Sequence, residues 1–160
     1  MAGDNQPNMN EITIDDFELP STSGTSFKLF TQRGKNVVVY FYPKDDTSGC
    51  TIEGQEFTAL HDHFKEANTV VVGVSRDDIR SHNAFKTKFG FPFELLSDTD
   101  EKVCTQFGVM KLKNMYGKQV RGVDRSTFVF NTQGQLVKAW RGLKAPGHAA
   151  EVLAFVQSLT

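Results

Sequence analysis

"KNVVVYFYPKDDTSGCTIE", residues Lys35 to Glu53, decides the fold. Its first half is an unbroken β-branched and aromatic run, the pattern of a strand buried on both faces. Pro43 closes that run and a short polar loop follows. Beyond it, Ile52, Phe57, Leu60 and Phe64 recur at helical spacing, so a helix is expected from Thr51 to about Phe64. One of the chain's two cysteines, Cys50, falls between loop and helix.

Outward from this unit the pattern alternates. "TVVVGVS" (Thr69 to Ser75) reads as a second buried strand. "DDIRSHNAFKTKFG" (Asp77 to Gly90) reads as a helix with acids first and glycine last, as the macrodipole and the left-handed cap prefer. "FELLSD" is a third, short strand, and a short helix is expected from Asp100 to Phe107. "STFVFNTQGQLVKAW" reads as two strands around the turn Asn131 to Gly134. "HAAEVLAFVQSL" closes the chain as an amphipathic helix, with Val152, Phe155, Val156 and Leu159 on one face. Before the first strand, "FELPSTSGTSFKLF" (Phe17 to Phe30) carries a hairpin signal. The expected fold is an α/β sandwich of thioredoxin-like type: a central mixed sheet, helices on both faces and an N-terminal β-hairpin. Residues 1–10 are expected to be flexible and residues 11–160 to form one domain.

Composition excludes several functions. The formal net charge is −1 over 160 residues, which offers nothing to nucleic acid or an anionic membrane. The fourteen phenylalanines are scattered, as core residues are. No segment approaches the roughly 18 apolar residues needed to span a bilayer, and the first sixteen residues hold no signal-peptide core. A cytoplasmic location is therefore expected. Two cysteines do not make a disulfide scaffold, and no CxxC or zinc spacing is present.

In open α/β sheets, ligands bind at the carboxyl ends of strands, where Pro43 to Cys50 falls. At a helix N-terminus the unpaired N–H groups and the positive dipole end favour a thiolate, which is the nucleophilic form. Thr47 supplies a hydroxyl that both donates and accepts, and Gly49 allows close backbone approach. Pro43 stiffens the turn and would shield the sulfur. Lys44 is too near in sequence to serve as the cation the site needs. Arg125, just before a strand in "DRSTFVF", could reach it through the fold.

Pro43-x-x-x-Thr47-x-x-Cys50 resembles the active-site motif of the peroxiredoxins. "YFYPKDDTSGCTIE", "KNMYGKQVRGVDRSTF" and the "GH" before the last helix are similar to the peroxiredoxin Q subgroup, also called bacterioferritin comigratory protein. The resemblance runs from about Phe17 to the C-terminus. It implies a thiol-dependent peroxidase with Cys50 as the peroxidatic cysteine. It implies that Thr47 and Arg125 hold the peroxide oxygens and the thiolate, that Pro43 screens the pocket and that Glu53 plays a supporting part. The implied partners are a hydroperoxide and a thiol reductant (thioredoxin, glutaredoxin or glutathione). No cofactor or metal is implied, and a monomer is expected.

Two positions depart from the subgroup's pattern. Ser48 stands where "TPGCT" would place proline, which softens the loop. The subgroup's resolving cysteine lies five residues after the peroxidatic one, here Gln55, or about 36 residues after it, here near Lys86. The other thiol, Cys104, falls on the apolar face of its expected helix beside Val103 and Phe107, as a core thiol would. A one-cysteine mechanism is therefore expected, with Cys104 as resolving cysteine the alternative. A peroxide sensor or holdase using Cys50 oxidation is a further reading. A thioredoxin-like disulfide reductase is disfavoured by the missing CxxC. "HDH" (His61 to His63) has two-residue spacing on a helix, which points its histidines apart. His82 and His148 show no partner spacing. "KLKNMYGKQVRG" reads as a basic solvated loop beside the site, and Trp140 as packing.

Overall fold

The computed structural model describes residues 14–159, so the start expected to be flexible, 1–10, lies outside the described residues. The first hairpin is β1 (Glu18–Pro20) and β2 (Ser26–Lys28), followed by a 3-10 turn at Leu29–Gln32. The deciding run is β3 (Asn36–Phe41), buried at every position. Then come α1 (Ser48–Ala59), α2 (His61–Glu66), β4 (Thr69–Ser75), α3 (Ile79–Phe89), β5 (Glu94–Ser97) and α4 (Lys102–Gln106). The chain continues with β6 (Met110–Met115), β7 (Lys118–Val123), β8 (Ser126–Phe130), β9 (Leu136–Arg141) and α5 (His148–Gln157).

Five strands form the central sheet in the order β5-β4-β3-β8-β9. β3, β4 and β5 are parallel, β8 runs antiparallel to β3, and β9 runs antiparallel to β8. This is the mixed thioredoxin-like sandwich. Side-chain alternation divides the interior in two. Val38, Tyr40 and Val129 face a core closed by Phe57 of α1, Phe64 of α2, Phe85 of α3 and Val152 and Val156 of α5. Val37, Val39, Phe41 and Phe128 face a second core closed by Phe17, Leu19, Leu29 and Val103 and Cys104 of α4. Among the described residues no helix is long and apolar enough to cross a membrane.

Three expectations are corrected. The helix expected over Thr51 to Phe64 begins at Ser48, because Thr47 is its extended N-cap (φ −100°, ψ 160°), and it breaks at Leu60 into α1 and α2. Its buried face also differs. Ile52 is 38% exposed, while Glu53 and Gly54 turn inward. "KLKNMYGKQVRG" is not a loop but the β6–β7 hairpin, turned by Tyr116 and Gly117, both at positive φ (54° and 78°). Two successive left-handed residues define the two-residue turn whose twist suits a hairpin. β6 carries Lys111 and Lys113 and β7 carries Lys118 and Arg121, and a Tyr-Gly turn lacks the usual asparagine or aspartate. On α5 the buried face is Ala149, Val152, Leu153 and Val156, and Leu159 lies exposed past its end.

Gly54 packs α1 onto the aromatic core. A Cβ there would sit 2.4 Å from Phe91 Cζ. Gly54→Ala should gain about 1 kcal/mol of helix propensity and lose about 1–3 kcal/mol to overpacking, so a net loss is expected in urea denaturation. A stabilised variant would show that Phe91 yields freely.

Candidate active site

The loop from Pro43 to Thr47 leaves the carboxyl end of β3 and delivers Cys50 into the first turn of α1. Cys50 is 1% exposed, and its backbone lies among the helix's unpaired N–H groups. Arg125 arrives from the other direction. Phe41 at the end of β3 pairs with Ser126 at the start of antiparallel β8, so the residue before β8 lies beside the loop after β3. Arg125 Nη2 donates to Cys50 Sγ at 3.4 Å, and Nη1 donates to Glu53 Oε1 at 2.6 Å. Thus Arg125, 75 positions after Cys50, converges on Cys50 and Glu53 of α1. Gly49 eases this approach, since a Cβ there would lie 3.0 Å from Arg125 Nη2 and press on it.

The electrostatics follow from burial. Burial opposes the charge of Arg125, but Glu53 and Cys50 beside it prevail and raise its pKa. Glu53 is fully buried, with Oε2 lacking any hydrogen-bond partner among the described residues. Burial pushes its carboxyl up to about 7 against the pull of Arg125. Its folded state therefore holds a proton that the unfolded chain has already released, and stability falls as pH rises from the ordinary carboxylate range through about 7. Glu53→Gln removes this dependence. Urea denaturation at pH 5 and pH 8 should show the wild type losing stability relative to the variant; parallel behaviour at both pH values would contradict a buried, titrating Glu53.

Beneath the site lies Tyr40, stacked on Phe57 with centroids 4.7 Å apart. Burial, then Glu53 and Cys50, keep its hydroxyl protonated well past the usual range. The sequence reading missed it, because Tyr40 sits inside the buried run with nothing to mark it from its neighbours.

Thr47 is exposed, and its hydroxyl donates to the Lys44 carbonyl at 2.8 Å. Pro43 is half-buried at the bend leaving β3. Ser48 is the first residue of α1, a position whose N–H has no helical partner and where proline would fit. Cys104 is fully buried in the second core, on the opposite side of the sheet from Cys50. Burial, then Asp98, holds its thiol well above the usual range. Lys86, in the last turn of α3, donates to the carbonyls of Phe91 and Phe93 in the segment that follows, at 2.8 and 3.0 Å. Gln55 is exposed.

The histidines divide. His63 faces Glu66 one turn on at 3.3 Å. His148 is buried against Thr127 Oγ1 at 2.9 Å and meets Trp140 edge-on, with its pKa lowered by burial. His82, to which the sequence assigned nothing, is fully buried. Among the described residues, Asp45, Asp77 and His82 place one potential metal-ligand atom each within 4.8 Å of one another. Those atoms already bond to protein donors and acceptors, which makes the cluster a hydrogen-bond network.

Comparison with known proteins fits this geometry. The model of the AhpC/TSA family matches residues 12–139. Peroxiredoxin Bcp of Xanthomonas campestris pv. campestris is 49% identical over 150 residues, covering 92% of this chain and 94% of that protein. Peroxiredoxin Bcp of Bacillus subtilis is 42% identical over 145 residues, covering 91% and 92%. Among solved structures, a cysteine variant of Xanthomonas campestris Peroxiredoxin Q superposes with a TM-score of 0.86 at 49% identity, covering 90% of this chain and 92% of that one. Peroxidoxin BcpB from Mycobacterium tuberculosis gives 0.81 at 34% identity, covering 92% and 96%.

Proposed function

The chain belongs to the AhpC/TSA family of peroxiredoxins and is a thiol-dependent peroxidase, and on that premise we propose that Cys50 is its peroxidatic cysteine and that an external thiol regenerates it. The observation that carries the first half is the guanidinium of Arg125 lying against the Cys50 sulfur while buried Glu53 fixes its other arm. The Cys50 thiolate attacks the terminal oxygen of a hydroperoxide. An S–O bond forms, the O–O bond breaks, and the leaving alkoxide or hydroxide takes up a proton. The products are the Cys50 sulfenic acid and an alcohol or water. Arg125 and the N–H groups of the first turn of α1 stabilise the charge that moves onto oxygen. Thr47 orients the peroxide, its hydroxyl turning from the Lys44 carbonyl to do so, and Pro43 screens the sulfur. Glu53 holds Arg125.

The second half rests on the two cores. A resolving thiol must reach the sulfenic acid, and Cys104 lies across the sheet, fully buried on α4. Thioredoxin, glutaredoxin or glutathione would therefore attack Cys50, releasing water and forming a mixed disulfide that a second thiol reduces. Hydrogen peroxide and organic hydroperoxides both suit the chemistry. The Xanthomonas campestris bacterioferritin comigratory protein solved as trapped intermediate and ligand complexes has alkyl peroxide reduction activity. We place the protein in the cytoplasm, as a single domain over residues 11–160 and as a monomer. The exposed Leu112 and Val120 do not argue otherwise, because the hairpin register puts them on opposite faces.

Intact mass under non-reducing conditions after one equivalent of peroxide, with and without a sulfenic-acid trap, tests this. A trapped adduct on Cys50 is expected. Loss of two hydrogens with a Cys50–Cys104 cross-linked peptide would instead make Cys104 the resolving cysteine.

A further inference from the structure

Between Pro43 and Gly49 one residue alone is buried, and it is an acid, Asp45. Asp45 Oδ1 accepts from the Tyr42 hydroxyl at 2.6 Å. Oδ2 accepts from Ser81 Oγ at 2.8 Å and lies 2.7 Å from Nδ1 of His82. The other nitrogen of His82, Nε2, is 2.8 Å from the carbonyl oxygen of Leu96. A carbonyl only accepts, so Nε2 must carry a proton. Nδ1 and the carboxylate are both acceptors unless a further proton lies between them. The pair therefore shares that proton, as imidazolium with carboxylate or as imidazole with carboxylic acid, and is neutral as a unit.

Around it, Asp77 of the β4–α3 turn accepts from the backbone N–H of Asp45 at 2.9 Å and from Ser75 Oγ at 2.6 Å. Outside, exposed Lys88 of α3 donates to Asp46, which holds a left-handed φ of 57°. A non-glycine residue in that region persists only where its surroundings hold it. The loop thus carries local strain and is clamped to α3 and to the ends of β4 and β5. Its two ends are β3 and Thr47, the N-cap of α1.

We propose that Asp45 and His82 are a positioning pair that fixes the Pro43–Thr47 loop, and through it Thr47 and Cys50, in register with Arg125. The pair touches neither the sulfur nor the guanidinium. It acts by setting where α1 begins, and it rests on the reading of Cys50 as the peroxidatic cysteine. Reaction with peroxide needs sulfur, hydroxyl and guanidinium in one arrangement, whereas alkylation needs only an accessible thiolate. Loss of the pair should separate the two.

The test uses the full chain, below the melting temperature of each variant. It measures the second-order rate of peroxide reduction and the rate of iodoacetamide alkylation at Cys50, followed by peptide mass. Asp45→Ala should lower the peroxide rate by about a hundredfold and the alkylation rate by less than about tenfold. Tyr42→Phe keeps the ring and removes one donor to Asp45, and should lower the peroxide rate by about tenfold. Asp45→Asn should stay within about threefold of wild type, since its amide nitrogen in the place of Oδ2 can donate to Nδ1 and to Ser81 Oγ, while its carbonyl accepts from Tyr42. Wild-type peroxide rates in both Asp45→Ala and Tyr42→Phe, or equal falls in the two reactions, would overturn the proposal. Peroxide consumption by Cys50→Ser, run alongside, would instead remove the reading on which the pair depends.

Discussion

Cys50→Ser is expected to reduce peroxide consumption to the uncatalysed level, a loss of at least about 10⁴-fold, with the fold intact. A hydroxyl is a poor nucleophile toward peroxide oxygen and forms no stable product equivalent to a sulfenic acid. The site otherwise tolerates the change: serine matches cysteine in shape, and Arg125 Nη2 remains available to bond the buried hydroxyl. Cys104→Ser makes the contrasting control. Asp98 lies beside that thiol and can accept from a hydroxyl, so the variant should fold and complete the first oxidation at the wild-type rate. Stopped-flow peroxide loss alongside thermal melts measures both. Turnover by the Cys50 variant, or a failed first oxidation in the Cys104 variant, would move the chemistry elsewhere.

Arg125→Ala has two consequences that one further substitution separates. Removal of a preorganised donor from the reacting centre should cost about 10²–10³ in the peroxide rate. It also removes the cation that opposes burial at Glu53, leaving a fully buried carboxyl without its guanidinium donor, neutral below its raised pKa and an uncompensated charge above it. Breaking a buried pair from one side typically costs about 3–5 kcal/mol. The stability loss should shrink at low pH, where Glu53 takes a proton, and should be largely relieved in Arg125→Ala/Glu53→Gln, whose peroxide rate stays low. Arg125→Lys should fall between, because one ammonium cannot span both Glu53 and the sulfur as a guanidinium does. Urea denaturation and single-turnover kinetics report the two effects separately. Recovery of rate along with stability in the double variant would mean that Arg125 serves the fold alone.

What the sequence made legible was set by local rules. The runs at Asn36–Phe41 and Thr69–Ser75 had to be buried strands, and Asp78 and Gly90 cap α3 as their residue types demand. Cys50 could be placed at a helix start from the strand that precedes it. Glu53 was legible only through resemblance. Nothing local says that a glutamate will turn inward while the isoleucine beside it turns out; Gly54 against Phe91 and the arrival of Arg125 decide that. Asp45 and His82 were illegible for the same reason, being 37 positions apart and joined by a helix packing on a loop. The β6–β7 hairpin was lost because a lysine-rich pair of strands with few apolar residues has no periodic signature of burial.

The sheet between the two sulfurs has a bearing on how long the catalyst lives. A protein whose second thiol shared the first one's face could retire its own sulfenic acid at a fixed internal rate. On the external-thiol route proposed for Cys50, that rate would be whatever the surrounding thiol pool supplies. Each oxidised molecule would then run a race between a reductant and a second peroxide, and the second outcome, a sulfinic acid, would end its service. Durability would be set by the ratio of peroxide to thiol outside the protein, so a cell's reductant supply, more than any residue in the chain, would fix how many turnovers one copy completes.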